Sequence, residues 1–306
     1  MTTVTRSEVS FDSDGIRLAG HLYQPSAVET GTLPAVVVGH PGSGVKEQAA
    51  GLYAQKLAEQ GFIALSFDAA YQGESAGEPR GLEDPAQRVE DIKAAVSFLA
   101  VHPAVDAARI GLLGICASGA YALAAGSTDV RIKAVATVSA ADIGRQFRLG
   151  SDGKQDPAVV QSLMAAAAQA RTAAARGEAM GRFPIFPENE AQARAGGQHL
   201  FEGWEYYCSD RGQHPRSAKS FTWNSVDKIL AYDPFRFVNM LAPRPLLLIV
   251  GSKAETAWMT EEAFAQAGEP KLLMWIEGAS HVDLYDKPEY VDTALIQLVE
   301  FFNTQL

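Results

Sequence analysis

The sequence predicts an α/β fold: a mostly parallel central sheet flanked by helices, carrying an inserted, largely helical segment. Three observations point there. Apolar runs of strand length alternate with amphipathic stretches up to about residue 140, the alternation lapses over roughly residues 143–232, and it resumes near residue 245. The division expected is a core of residues 1–142 and 233–306 with a helical cap of residues 143–232.

Taking the elements in order, Ile16–Tyr23 predicts an early antiparallel strand, and Leu33–Val38, Lys46–Gln60 and Phe62–Asp68 predict a strand, helix and strand in one βαβ unit, with Gly61 as the stop. Pro85–Leu99 continues as a helix whose apolar positions are Val89, Ile92, Ala95, Val96 and Leu99. Ala108–Ile115 then reads as a strand, Ala117–Ala125 as a small-residue helix and Ile132–Val138 as a strand. In the insertion only an alanine-rich helix over Ala158–Ala175 stands out, with no convincing strand. Pro245–Val250, a helix near Thr260–Gln266, Lys271–Ile276 and Tyr290–Phe302 complete the alternation.

Composition narrows the function classes. With 306 residues, 47% hydrophobic and 20% charged, the chain can bury a sizeable core, which excludes whole-chain disorder. A net charge of -10 repels phosphate backbones and anionic bilayers, so neither nucleic acid nor membrane is an expected partner. The first residues hold no apolar core of signal-peptide length and no run is long enough to span a bilayer, so a cytoplasmic location is expected. Cys116 and Cys208 are the two cysteines; neither sits in a zinc-site pattern, and a disulfide between them is not expected.

Gly114-Ile115-Cys116-Ala117-Ser118 puts a cysteine where a buried strand turns directly into a helix. A nucleophile at so tight a turn needs small neighbours two positions away on each side, and Gly114 and Ser118 supply them. The helix N-terminus favours a thiolate and leaves the Ala117 N–H free to receive an oxyanion. Cys116 as a merely small buried hydrophobe competes with this reading, and Ser118 as nucleophile would sit too deep in the helix. After a nucleophile of this kind come an acid and then a late histidine. His281 lies in the Gly/Ser loop behind Lys271–Ile276 and is the expected base; Glu255, behind Pro245–Val250, is the expected acid, with Asp283 a weaker rival. The second oxyanion donor is expected in Gly39-His40-Pro41-Gly42-Ser43-Gly44, where Pro41 has no N–H to give, and Gly42 is favoured over Ser43.

The segments GHPGSGVKEQ, FDAAYQGES, GICASGAY and EGASHVDLYDKPEY together resemble the α/β-hydrolase superfamily, and within it the dienelactone-hydrolase-related branch with a cysteine nucleophile, similar to bacterial hydrolases and fungal polyketide thiohydrolases or acyl transferases. The resemblance implies a Cys116, Glu255, His281 triad, although aspartate is the commoner acid. The long cap and His40-Pro41, in place of a glutamate, depart from dienelactone hydrolases themselves.

Substrate contacts are expected from Tyr71 and His40 at the strand ends and from the aromatics of the insertion, above all Trp204 and Tyr207, although such aromatics more often form a cap's own core. The basic knot Arg211, His214 and Arg216 is either a bonded surface loop or an anion contact. The function expected is cleavage of an ester, thioester or lactone through a cysteinyl acyl-enzyme, without metal or organic cofactor. Acyl transfer to another acceptor is the alternative, and an idle ligand-binding member of the fold is the rival from another class. The expected partner is a small acyl compound, with a homodimer as the protein assembly considered.

Overall fold

The computed structural model describes residues 3–26 and 31–306. Its first two strands, β1 (Val4–Ser13) and β2 (Ile16–Pro25), pair antiparallel across an Asp14-Gly15 turn in which both residues have positive φ, the geometry that Asp-Gly supports in tight hairpins. β1 escapes sequence reasoning because it is a largely exposed edge strand with little apolar alternation.

The expected alternation follows. β3 (Leu33–Gly39), α1 (Ala49–Glu59), β4 (Ile63–Phe67), α2 (Pro85–Ala100), β5 (Val105–Ile115), α3 (Ala117–Thr128) and β6 (Ile132–Val138) build the first half. The chain then runs through α4 (Ile143–Leu149), α5 (Pro157–Ala175), β7 (Arg182–Pro184), α6 (Glu190–Ala195), α7 (Gln198–Cys208), β8 (Ser220–Thr222) and α8 (Asn224–Leu230). It returns with β9 (Leu246–Gly251), α9 (Ala257–Gln266), β10 (Lys271–Ile276), α10 (Asp283–Asp286) and α11 (Pro288–Gln305). The eight-stranded sheet has the order β1-β2-β4-β3-β5-β6-β9-β10; β1 and β2 are antiparallel to their neighbours and the other pairings are parallel. The insertion does contain strand: β7 and β8 pair antiparallel as three-residue segments, too short to leave a periodic signal.

Alternation along the inner strands feeds two apolar layers, one on each face. Ala35, Val37, Ile110, Leu112, Leu246 and Leu248 pack with α2 and α3, whereas Val36, Val38, Leu113, Ile115, Leu247 and Ile249 pack with α1 and α11. Burying each of these Val, Leu and Ile side chains contributes about 1.5–3 kcal/mol, so the strand ends they fix form a stiff platform. Among the described residues no helix is long and apolar enough to cross a membrane.

Candidate active site

Cys116 is the last residue before α3 and has φ 55° and ψ -120°, a conformation that costs strain in any residue but glycine. The surrounding structure holds it there. Its N–H donates to the Val138 carbonyl at 3.0 Å, and its own carbonyl accepts from Gly119 at 2.8 Å and Ala141 at 3.0 Å. Gly114 is obligatory, because a Cβ there would lie 2.1 Å from the Ser118 carbonyl oxygen. Ser118 is buried with its hydroxyl donating to the His40 carbonyl at 2.5 Å, so it is committed to the loop and not presented as a nucleophile.

The loop after β3 brings Gly42 to the sulfur. Lys46 anchors it: the backbone N–H donates to Asp68 Oδ1 at 2.8 Å, while the buried ammonium reaches Asp68 Oδ2 at 2.9 Å and Glu47 at 2.8 Å. Asp68 is thus a buried hub of the loop. His40 is also structural. Nδ1 lies 2.7 Å from the Pro41 carbonyl, Nε2 accepts from the Ala69 N–H at 3.1 Å, and Arg88 Nη1 is 2.9 Å from Nε2. Burial first, then Arg88, pushes its pKa well below the ordinary histidine value. The ring is sealed beneath the loop and lines no part of the cavity over Cys116, which removes it from the expected substrate contacts.

The Tyr285 hydroxyl and the N–H groups of Ala117 and Gly42 face the Cys116 thiol, and each favours the thiolate; burial outweighs them and raises the pKa above its ordinary 9.0. The helix-start N–H of Ala117 thus favours the thiolate, as expected, but desolvation is the larger effect. His281 is buried in the loop behind β10, with Nε2 at 3.0 Å from the Tyr285 hydroxyl. Tyr285 touches both the imidazole and the thiol.

Glu255 does not hold the imidazole. Nδ1 of His281 lies 2.6 Å from Thr256 Oγ1, whereas the exposed Glu255 carboxylate accepts from the His199 N–H at 3.1 Å and from Ser151 Oγ at 3.2 Å. The short turn into α9 aims successive side chains differently: residue 256 points under the ring and residue 255 points out to the insertion. Asp283 is no substitute, since its carboxylate accepts from the Ser280 N–H and pairs with Lys287. Without a carboxylate beside it, and buried against the His199 ring at 4.9 Å between centroids, His281 has its pKa driven well below 6.5, first by desolvation and then by His199.

A cavity of about 140 Å³ opens over the thiol. Cys116, Ala117, Gly42, His281 and Tyr285 line its core side; α4 contributes Ile143, Gln146 and Phe147, α7 contributes His199, Leu200, Gly203 and Tyr207, and Ile185 and Phe221 come from the β7–β8 ribbon. Residues 199, 203 and 207 recur every fourth position and share one helix face. Of the substrate contacts expected by name only Tyr207 lines this cavity, joined by Phe186 and Phe221 from the insertion's aromatics. Trp204, the next residue along from Gly203, is turned off that face, and Tyr71 lines a separate groove with Arg80 and Arg182. Arg211 of the basic knot is consumed by Asp286 and Glu205, at 2.7 and 2.8 Å.

Sequence reasoning missed Thr256, Tyr285 and His199. Tyr285 carried a signal: it lies four residues after His281, the spacing that stacks side chains on one helical turn. The every-fourth pattern of His199, Gly203 and Tyr207 was another, hidden by attention to the aromatics alone. Thr256 offered none, being one position from a more conspicuous carboxylate.

The X-Pro dipeptidyl-peptidase (S15) family matches residues 14–221 of the chain. The protein YcjY of Escherichia coli (strain K12) is 39% identical over 305 residues, 98% of this chain and 99% of that protein. A thiohydrolase of Aspergillus aculeatus, aneE, is 29% identical over 287 residues, 90% of this chain and 86% of that one. The crystal structure of the hypothetical protein PA2218 from Pseudomonas aeruginosa superposes with a TM-score of 0.92 at 36% identity, covering 99% of this chain and 94% of that chain. The matched span includes both the bend at Cys116 and the loop bearing Gly42, and with them on an eight-stranded, mostly parallel sheet the chain has the α/β-hydrolase fold and belongs to the X-Pro dipeptidyl-peptidase (S15) family.

Proposed function

We propose that this protein cleaves acyl thioesters, and activated esters or lactones, through an acyl group carried on Cys116. The observation that carries the reading is the thiol on a strained bend at the floor of an apolar cavity, faced by two backbone N–H groups and by the Tyr285–His281 pair. The resting partners are a neutral thiol and a neutral imidazole. As the sulfur attacks the carbonyl, its proton passes to the Tyr285 oxygen while the Tyr285 proton passes to His281 Nε2; Nδ1–H donates to Thr256 Oγ1. The Gly42 and Ala117 N–H groups receive the oxyanion, and collapse of the tetrahedral intermediate expels the leaving thiol or alcohol, protonated by the same route in reverse. Water, deprotonated by His281, then cleaves the acyl–sulfur bond and restores the thiol.

Hydrolysis is put ahead of acyl transfer because a thiohydrolase relative is 29% identical over 90% of this chain, against 27% for a polyketide transferase and 26% for an acyltransferase that also cover most of it. Dipeptide release, the activity in the family's name, fits poorly. A free amino terminus must be met by a carboxylate once desolvated, and no Asp or Glu lines the cavity among the described residues.

Intact-mass measurement after incubation with short acyl thioesters tests the proposal. An acyl adduct on the wild-type chain, lost in Cys116→Ala together with roughly 10⁴-fold or more of the turnover, is expected. An adduct that survives the substitution would sink it. Added amines or thiols that capture the acyl group faster than water would move the reading to acyl transfer, and release of X-Pro from a peptide would restore the family's named activity.

A further inference from the structure

We infer that the acyl group this site accepts is small and uncharged, about the size of a benzoyl ring or a six-carbon chain, and that Phe147 on α4 sets its length. This rests on the thioesterase reading above and adds to it the class of acyl group. Three observations carry it.

The first is volume. At about 140 Å³ the cavity matches the roughly 150 Å³ of apolar space that accommodates benzene, and it falls below the ~300 Å³ at which sites for drug-sized ligands begin. A long acyl chain or fused-ring polyketide exceeds the space between Cys116 and the insertion.

The second is lining. Ile143, Phe147, Ile185, Phe186, Leu200 and Phe221 make the wall away from the nucleophile, and no Asp, Glu, Lys or Arg reaches the cavity among the described residues. An acyl group ending in a carboxylate or an ammonium loses its hydration there with no opposite charge to meet it.

The third is that side chains are packed together to define the space. Gly203, in the interior of α7, leaves room where a Cβ would come within 3.0 Å of the Phe186 ring. Phe186 stacks on Tyr207 at 5.2 Å between centroids, and Phe147 is braced by Phe183 at 5.8 Å. Phe147 stands on the turn of α4 that also presents Ile143 and Gln146 to the cavity, and the helix is fixed by the buried Asp142, which accepts from Gly144 N–H at 2.8 Å. Truncating Phe147 opens space on the insertion side while leaving Cys116, Gly42 and His281 untouched.

The test is a series of thioesters of one small thiol with acetyl, butanoyl, hexanoyl, benzoyl, octanoyl and decanoyl groups, plus a six-carbon acyl group ending in carboxylate. Turnover and acylation of Cys116 by intact mass are read together. Expected is a rise in kcat/KM to hexanoyl or benzoyl, roughly 4-fold per buried methylene, then a fall of at least ~10-fold by decanoyl. The carboxylate-ended substrate should be at least ~10-fold worse than hexanoyl. In Phe147→Ala the decanoyl-to-hexanoyl ratio should rise by at least ~10-fold. An undiminished rate to decanoyl, or equal use of the charged acyl group, overturns this inference while leaving the thioesterase reading standing, provided Cys116 is acylated. No acylation of Cys116 by any member overturns both. The wild-type series decides even if Phe147→Ala does not fold.

Discussion

Two alanine-rich helices, α3 and α5, behave as opposites. α3 has ten of its twelve residues buried, whereas α5 buries only Ala167 out of nineteen. Yet α5 is the better helix by local rules: Asp156 caps it, Pro157 opens it, and alanine dominates its interior. α3 contains Gly119 and Gly126, poor helix formers, and its N-terminus is a strained cysteine with no side-chain cap. Small residues in α5 satisfy the helix; in α3 they exist because neighbouring strands and loops lie against them. A Cβ on Gly119 would meet Ala140 at 2.8 Å, and one on Gly126 would meet Val135 at 2.6 Å. The proposed nucleophile sits at the start of the helix whose form is imposed by its neighbours, since only imposed geometry can hold Cys116 at φ 55°.

The largest effect should therefore come from adding one methyl group where the bend is tightest. Gly114→Ala drives its Cβ into the Ser118 carbonyl and should cost about 3 kcal/mol or more of stability, the upper range for overpacking, together with the site's activity. Urea unfolding would measure it. A variant as stable as wild type would mean that the bend yields and that α3 is not held as rigidly as the contrast requires.

Next in size is the base. His281→Ala should slow acylation by at least ~10²-fold with the fold intact, and Tyr285→Phe should slow it as well, because in the proposed mechanism the hydroxyl carries the proton between ring and sulfur. The pH profile sharpens this. The native pKa of His281 lies well below 6.5, so the imidazole stays neutral, and able to accept a proton, to well under that pH. The Cys116 pKa lies above 9.0, so the thiol is intact until alkaline pH. kcat/KM should be flat between about pH 6.5 and 9, and an acid limb centred at or above 6.5 would refute the neutral pair. Stability follows the same sign. Between the depressed native pKa and 6.5 the unfolded chain binds the proton more readily, so the contribution of His281 is complete above 6.5 and is lost as pH falls through the native pKa.

Thr256→Val and Glu255→Gln separate what the sequence could reveal from what it could not. The sheet, the bend and the late histidine were legible because each imposes a pattern: Leu33, Phe62 and Ala108 open apolar runs, Gly114 and Ser118 flank Cys116, and His281 follows a strand within a Gly/Ser loop. The acid was not legible, because which of Glu255 or Thr256 faces the ring depends on the turn angle into α9, and no periodicity encodes that angle. Removing the Thr256 hydroxyl leaves the buried Nδ1 without its partner and should cost about 10-fold in acylation, as for one lost buried hydrogen bond. Glu255→Gln retains an acceptor for the His199 N–H and should change acylation by less than about 3-fold. The opposite order of effects would return Glu255 to the triad.

The smallest expected effect tests the other half of the comparison. Ala165 in α5 is exposed, and Ala165→Leu exchanges one good helix former for another with nothing packed against it, so stability should stay within about 0.5 kcal/mol of wild type. The same exchange at Ala120 in α3, fully buried in the core layer, should cost about 1–3 kcal/mol by overpacking. The difference between the two, read from one pair of urea curves, isolates packing from helix propensity because residue type, helix type and substitution are matched. If Ala165→Leu proves as damaging as Ala120→Leu, α5 must be covered by something in solution, and its exposed face would no longer be the counterweight to α3 that the argument takes it to be.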